Sequence, residues 1–170
     1  MSNRGSFGKY RGVIADSKDP QQLGRVRVYA PDLYGNRMSG WAWPCLPFGG
    51  DKMGFFAVPP VGTPVWIECE GGDPDYPIWN GTRWEDKKQL PKVPAGAHSD
   101  PGSVVMICTQ GGHSILLDDT KNGGGITLQT SGGQKIIINS QGIEIDNGNG
   151  AKIKLTSNQV SINDGALEVT

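Results

Sequence analysis

The sequence predicts an all-β chain in two parts: a small N-terminal barrel and a C-terminal run of short strands stacked along one axis. Three observations predict it. In the last third, apolar residues recur as i, i+2 pairs: Ile115/Leu117, Ile126/Leu128, Ile136/Ile138, Ile143/Ile145, Ile153/Leu155, Val160/Ile162 and Leu167/Val169. A period of two means a strand with one apolar face. Between the pairs lie Gly/Asn clusters such as Asn122-Gly123-Gly124-Gly125, Ser131-Gly132-Gly133, Asn147-Gly148-Asn149-Gly150 and Asn163-Asp164-Gly165, which supply the positive φ of tight turns. Upstream, five or six short alternating runs fill residues 9–86 with no convincing helix, the pattern of a small barrel.

The elements follow in order. Residues 1–8 read as a flexible or partner-docked arm. Tyr10–Ala15 is a first strand, closed by the turn-prone Asp16-Ser17-Lys18-Asp19-Pro20. Gly24–Ala30 alternates, placing Val26, Val28 and Ala30 on one face and Arg25 and Arg27 on the other, and Pro31-Asp32 stops it. Trp41–Phe48 is extended and proline-punctuated; Phe55–Val58 is a short strand ending at Pro59-Pro60. Pro64–Glu70 alternates again, and Pro77–Thr82 closes the set. Residues 87–102 carry prolines and little apolar periodicity, so they form an extended linker. The repeat, residues 103–170, is entered through Val104-Val105-Met106-Ile107.

The repeat carries a packing problem. Ile126 to Ile143, Ile136 to Ile153 and Ile143 to Val160 are each 17 residues apart. Such spacing indicates a β-solenoid or an intertwined β-prism. Each strand offers only two inward side chains and leaves its edges exposed. Three copies wound together would bury the Ile/Leu/Val stripe on a shared axis and pair every edge. An obligate homotrimer is therefore expected, with all fourteen paired residues on its axis. A monomeric flat solenoid with 17-residue coils also fits the spacing.

Composition narrows the function. The chain has 170 residues, 26 glycines and net charge −1. Charge is balanced in both parts, which argues against a phosphate-backbone partner. Three scattered cysteines suit neither a disulfide framework nor a zinc site. Met1–Tyr10 is polar and nothing in it resembles a signal peptide, so synthesis in a reducing compartment without a signal peptide is expected.

An ordered series of segments resembles a known family. Gly12-Val13-Ile14, Asp19-Pro20, Leu23–Val28, Trp41-Ala42 with Pro44, Pro60-Val61-Gly62, Val65–Glu68, Glu70–Pro74 and Pro77–Gly81 resemble the OB domain of phage baseplate assembly protein V and VgrG-type proteins. Gly112–Thr120 is similar to that family's entry into its β-helix. The resemblance implies an N-terminal OB-fold barrel followed by an intertwined triple-stranded β-helix, the homotrimeric central spike of a contractile injection system. It further implies a baseplate hub protein at the OB end, with Arg25 and Arg27 as candidate hub or intersubunit contacts. A PAAR-repeat tip protein would sit at Leu167, Glu168, Val169 and Thr170, and the spike would meet a target membrane transiently. Two departures matter. No lysozyme domain separates barrel from helix, and the two histidines, His98 and His113, do not form the His-X-His pair by which some spikes bind iron.

Candidate chemistry is sparse. Asp118-Asp119 is the only adjacent acidic pair in the repeat, and general acid–base work needs two carboxylates on one cleft. Gly123-Gly124-Gly125 precedes no helix and reads as a turn, not a phosphate cradle. The calcium-binding nonapeptide pattern is absent. No catalytic residue, metal or cofactor is therefore expected. The barrel aromatics (Trp41, Trp43, Trp66, Trp79, Trp84, Phe55, Phe56) read as core or hub contacts rather than base-stacking platforms. The expected function is mechanical: the spike punctures the target envelope on sheath contraction. The alternatives are an OB-fold nucleic-acid or glycan binding module with a β-solenoid appendage, and a β-helical polysaccharide lyase or hydrolase.

Overall fold

The computed structural model describes residues 5–94, 97, 99–121, 124–164 and 166–169, which divide into two compact units meeting between Leu90 and Pro91. The N-terminal unit is built on β1 (Tyr10–Asp16), β2 (Arg27–Tyr29), β3 (Trp43–Pro44), β6 (Pro64–Cys69) and β7 (Pro77–Thr82), in sheet order β2-β1-β6-β7-β3. The register shifts between Ile14 and Asp16 of β1, and again between Val65 and Ile67 of β6. Such irregularities bend a strand and raise its twist, curling the sheet. An isolated bridge from Val26 to Ala42 links the two ends of the sheet order, where the chain on either side belongs to β2 and β3.

Inside the curl lie Ile14, Val26, Val28, Ala30, Ala42, Val65, Ile67 and Trp79. Val26, Val28 and Ala30 are fully buried, as their alternation requires. Trp79 satisfies its indole by donating from Nε1 to the Gly24 carbonyl at 3.1 Å. Buried Ser39 accepts from the Val28 amide (2.9 Å) and donates to the Gly40 carbonyl (2.7 Å), so its hydroxyl needs no water.

Three local expectations are corrected. Pro31-Asp32 does not merely stop a strand; it opens a one-turn helix, α1 (Pro31–Tyr34). Proline suits a helix's first position because its missing N–H would be unpaired there anyway. Tyr34 donates its hydroxyl to the Pro74 carbonyl at 2.8 Å, and burial pushes its pKa up to about 12. Phe55–Val58 is not a strand. The chain instead forms a small hairpin just before it, β4 (Gly49–Gly50) with β5 (Met53–Gly54), because Lys52 and Gly54 take positive φ and turn the backbone back. Of the N-terminal arm, Ser6 donates its amide to the Gly72 carbonyl at 2.7 Å, so this stretch lies on its own unit. After β7, Asp86 and Gln89 form a reciprocal capping box around a 3₁₀ turn, Lys87–Gln89, in the linker.

The C-terminal unit is one eight-stranded antiparallel sheet in strict chain order: β8 (Val104–Cys108), β9 (Ser114–Asp118), β10 (Gly125–Gln129), β11 (Lys135–Asn139), β12 (Gly142–Asp146), β13 (Lys152–Thr156), β14 (Gln159–Ile162) and β15 (Leu167–Val169). This meander overturns the flat-solenoid alternative. The 17-residue period is not one coil of a self-wound chain. It is an up-and-down unit, the distance from one strand to the next running the same way, as from Ile126 in β10 to Ile143 in β12. Gly125 and Gly142 open their strands at φ +146° and +138°. A Cβ on Gly142 would overlap the Leu155 carbonyl oxygen, and one on Gly125 that of Ile138. Only glycine allows these backbones to pass so closely.

Candidate functional site

The meander's register arranges the apolar pairs into two continuous files. Opposed residues place Val105, Leu117, Ile126, Ile138, Ile143, Leu155, Val160 and Val169 side by side across all eight strands. The second file is Ile107, Ile115, Leu128, Ile136, Ile145, Ile153, Ile162 and Leu167. All fourteen residues expected on an axis thus fall on one face in unbroken register. Members of the second file from Ile107 to Ile162 line a single open trough.

This face is bare in the single chain. Val105 is 57% exposed, Ile138 44% and Ile136 36%, and Ile162 is half-buried. Among the described residues, every buried hydrophobic belongs to the N-terminal unit. A sheet with fifteen described aliphatic side chains on one face and no core of its own among the described residues is an assembly surface. The side chains of Glu168 and Val169, all of Thr170, and His98 lie outside what is described.

Val105 and Ile107 were missed in the sequence. They sit in the continuous apolar run Val104-Val105-Met106-Ile107, where alternation is invisible. Their signal was spacing: the β9 pair follows the β8 pair by ten residues, an interval the repeat uses twice more.

The opposite face is polar towards the C-terminus. Lys152 pairs with Asp146 at 3.3 Å, Lys154 with Asp164 at 2.5 Å, and Lys135 lies 3.9 Å from Glu144. The Gly148 amide, which donates to Asp146 at 2.7 Å, and then Lys152 hold the Asp146 carboxyl below its ordinary range against the opposing effect of burial. Asp164 is lowered and Lys154 raised by their mutual contact.

Candidate chemical groups serve the backbone. Asp118 accepts from the Thr120 hydroxyl and amide at 2.6 and 2.8 Å, closing an Asx turn that keeps its carboxyl ionised to lower pH than usual. His113 accepts from the Ser131 amide through Nδ1 at 3.3 Å. Among the described residues no group of three or more His, Cys, Asp or Glu side chains could hold a metal.

The two arginines are engaged within their own unit. Arg25 donates through Nε and Nη2 to Asp19 at 3.0 and 2.7 Å, and its guanidinium lies 5.7 Å and 5.3 Å from the Trp41 and Trp43 ring centroids. Arg27 donates through Nε to the Ser39 carbonyl at 3.0 Å. The Asp19 carboxylate also accepts from the amides of Gln21, Leu23 and Arg25, and with the Arg25 guanidinium they hold it far below its usual range. Of the aromatics, Trp79 is core, Trp66 lies under Arg83 (5.2 Å), and Trp43, Trp84, Phe55 and Phe56 are exposed.

Comparison with known proteins matches this division. Residues 10–84 match a model described as the type VI secretion system/phage-baseplate injector OB domain, and residues 103–168 one described as the phage baseplate V C-terminal trimerisation domain. The chain belongs to the phage baseplate V family. Its family is structural rather than catalytic, and its members' second domain is a self-association domain. A stretch of 62 residues is 39% identical to the actin cross-linking toxin VgrG1 of Vibrio cholerae serotype O1 (strain ATCC 39541 / Classical Ogawa 395 / O395), covering 34% of this chain and 6% of that protein. The chain thus corresponds to a small part of that relative. No helix among the described residues is long and apolar enough to cross a membrane.

Proposed function

We propose that three copies of this chain form the central spike of a contractile injection system, with their C-terminal sheets intertwined about a shared axis. The observation that carries the reading is the pair of bare aliphatic files running unbroken from β8 to β15. Three such faces turned inward bury the files in a dry interior and leave the ion-paired faces outside. With strands about 4.8 Å apart, eight strands give a shaft on the order of 34 Å long. Cross-strand hydrogen bonds then run along the shaft, in the direction in which sheath contraction delivers force, and resist its compression. The spike concentrates that force on a small area of the target envelope and meets its membrane only transiently.

The N-terminal OB unit docks on a baseplate hub protein. Arg25 and Arg27 contribute by holding Trp41 and exposed Trp43 in place at the contact. Leu167, Glu168, Val169 and Thr170 receive a PAAR-repeat tip protein, as the family resemblance implies.

The deciding measurement is mass in solution by light scattering, before and after warming in mild detergent. A detergent-resistant trimer is expected. A clean monomer with an intact sheet would overturn the reading.

A further inference from the structure

Four Asn-Gly pairs occur in the chain, at 80–81, 122–123, 147–148 and 149–150, the last two in tandem. In such a pair the backbone amide of glycine can attack the asparagine side chain before it, because no Cβ blocks the approach. The attack needs an amide and a side chain that the fold does not hold in place. The 122–123 pair lies outside the described residues, and the other three differ.

Asn147-Gly148 is locked. The Gly148 amide donates to the buried Asp146 carboxylate at 2.7 Å, and a Cβ on Gly148 would lie 3.0 Å from the Gly133 carbonyl carbon in a neighbouring turn. Asn147 Oδ1 accepts from the amides of Asn149 and Ala151, both at 2.9 Å, while the Asn147 amide donates to the Ala151 carbonyl at 3.0 Å. Asn80 stands in β7, where its Nδ2 donates to Glu68 at 3.2 Å. Asn149-Gly150 is the opposite case. Both residues are exposed, and among the described residues neither the Asn149 side chain nor the Gly150 amide has a hydrogen-bond partner. Nothing lies within 4 Å of a Cβ placed on Gly150. Asn147 lines the aliphatic trough, whereas Asn149 and Gly150 do not.

We propose that Asn149 is a site of deamidation, set apart by this turn from its tandem twin at Asn147. The Gly150 nitrogen attacks Cγ of Asn149, the bond from Cγ to Nδ2 breaks, and ammonia leaves with the amide proton. The product is a five-membered succinimide. Water then opens it at either carbonyl, giving aspartate or an isoaspartate whose main chain runs through Cβ and Cγ. The net exchange is amide and water for carboxylate and ammonium, and it adds one negative charge per chain. At Asn147 the same step must first release the Gly148 amide from a carboxylate. Breaking a hydrogen bond to a charged group slows that step at least about tenfold. The negative charge of Asp146 also opposes loss of the Gly148 proton. The assignment needs only one copy of the chain, so it stands apart from the trimeric reading.

The test is incubation of the full chain at mildly alkaline pH, then digestion in acid and peptide fragmentation by mass spectrometry, which locates each amide-to-acid exchange. Conversion at 149 should exceed that at 147 and at 80 by at least about tenfold. In urea the turn is lost, and 147 and 149, each an asparagine followed by glycine, should convert at similar rates. Equal conversion at 147 and 149 in the folded chain overturns the proposal, as does a folded chain that stays intact at 149 while the urea sample converts there. A preference for 149 that persists unchanged in urea also overturns it, since the turn would then not be its cause. Asp146→Ala frees the Gly148 amide and should raise conversion at 147 severalfold; an unaltered rate there would remove the carboxylate from the explanation.

Discussion

Replacing Ile138 with aspartate tests the inward face directly. Ile138 stands in the first file between Ile126 and Ile143 and is 44% exposed in the single chain. A lone sheet would barely register the change, because the carboxylate would keep its water; loss of strand propensity costs at most about 1 kcal/mol. In a trimer the outcome differs. Completing the burial of a half-exposed isoleucine contributes about 1 kcal/mol per copy, which the variant forfeits. Each buried carboxylate adds about several kcal/mol of desolvation, and three meet near one axis. The total is on the order of 10 kcal/mol per trimer, enough to abolish assembly at micromolar concentration. Light scattering should show monomer or aggregate. The sign of the pH effect follows from burial, which raises the folded-state pKa of the new carboxyl. Its penalty is complete above that raised value and vanishes below the unfolded value of about 3.9, so assembly should recover in acid. The adjacent Ile137→Lys is the control, because Ile137 lies on the other face directly opposite Glu144. It should remain trimeric. An Ile138→Asp trimer that melts like the parent would refute the inward placement.

Three further changes test the surrounding architecture. Gly142→Ala, at φ +138° and against the Leu155 carbonyl, should cost about 2 kcal/mol or more and lower the thermal midpoint of the C-terminal unit; an unchanged midpoint would show that this close passage relaxes freely. Trp79→Phe removes the indole bond to Gly24 and should destabilise the N-terminal unit in urea by about 1–2 kcal/mol, leaving the C-terminal transition unmoved. Asp19→Ala should lower the N-terminal midpoint at neutral pH. Because the native Asp19 carboxyl is held far below its usual range, its contribution is present above about pH 4 and lost as pH falls through the depressed value, so parent and variant should converge in strong acid. Midpoints that stay equally far apart at pH 2 and pH 7 would contradict that assignment.

The sheet was legible where side chains alternate and opaque where they do not. Ile126/Leu128 and Ile143/Ile145 announce their face because polar or small residues stand between and beside them. Val105 and Ile107 do not, since Val104 and Met106 are apolar too. The barrel core was readable from Val26, Val28 and Ala30. The β4–β5 hairpin was not, because strands made of Gly49, Gly50 and Gly54 carry no periodicity, and the flanking Phe55-Phe56 mimics a strand in composition. Arg25 illustrates a different blindness. Sequence places it on the outward face, but its partner Asp19 comes from the preceding loop, and only the folded turn brings five donors onto one carboxylate.

The two faces of the C-terminal sheet divide the work of specifying it. The aliphatic files supply most of the driving force and part of the register, since each strand has only two inward aliphatic residues and a slip by two residues keeps one opposed pair and loses the other. The opposite face resists such a slip. Lys135, Asp146 and Lys152 are directly opposed across β11, β12 and β13, and Glu144 is opposed to Lys154. A two-residue shift of β13 against β12 would set Lys154 opposite Asp146 and separate Glu144 from its partner. Paired charges across a strand contribute about 0.2–1 kcal/mol each, small beside the aliphatic faces, but they add to the register preference that those faces already set. Gly125 and Gly142 add a steric constraint, because each allows a close backbone passage only at its own position. Apolar repetition therefore makes the face cohesive, while the pairwise spacing of its aliphatic residues, charge order and glycine placement together decide which strand residues meet across it.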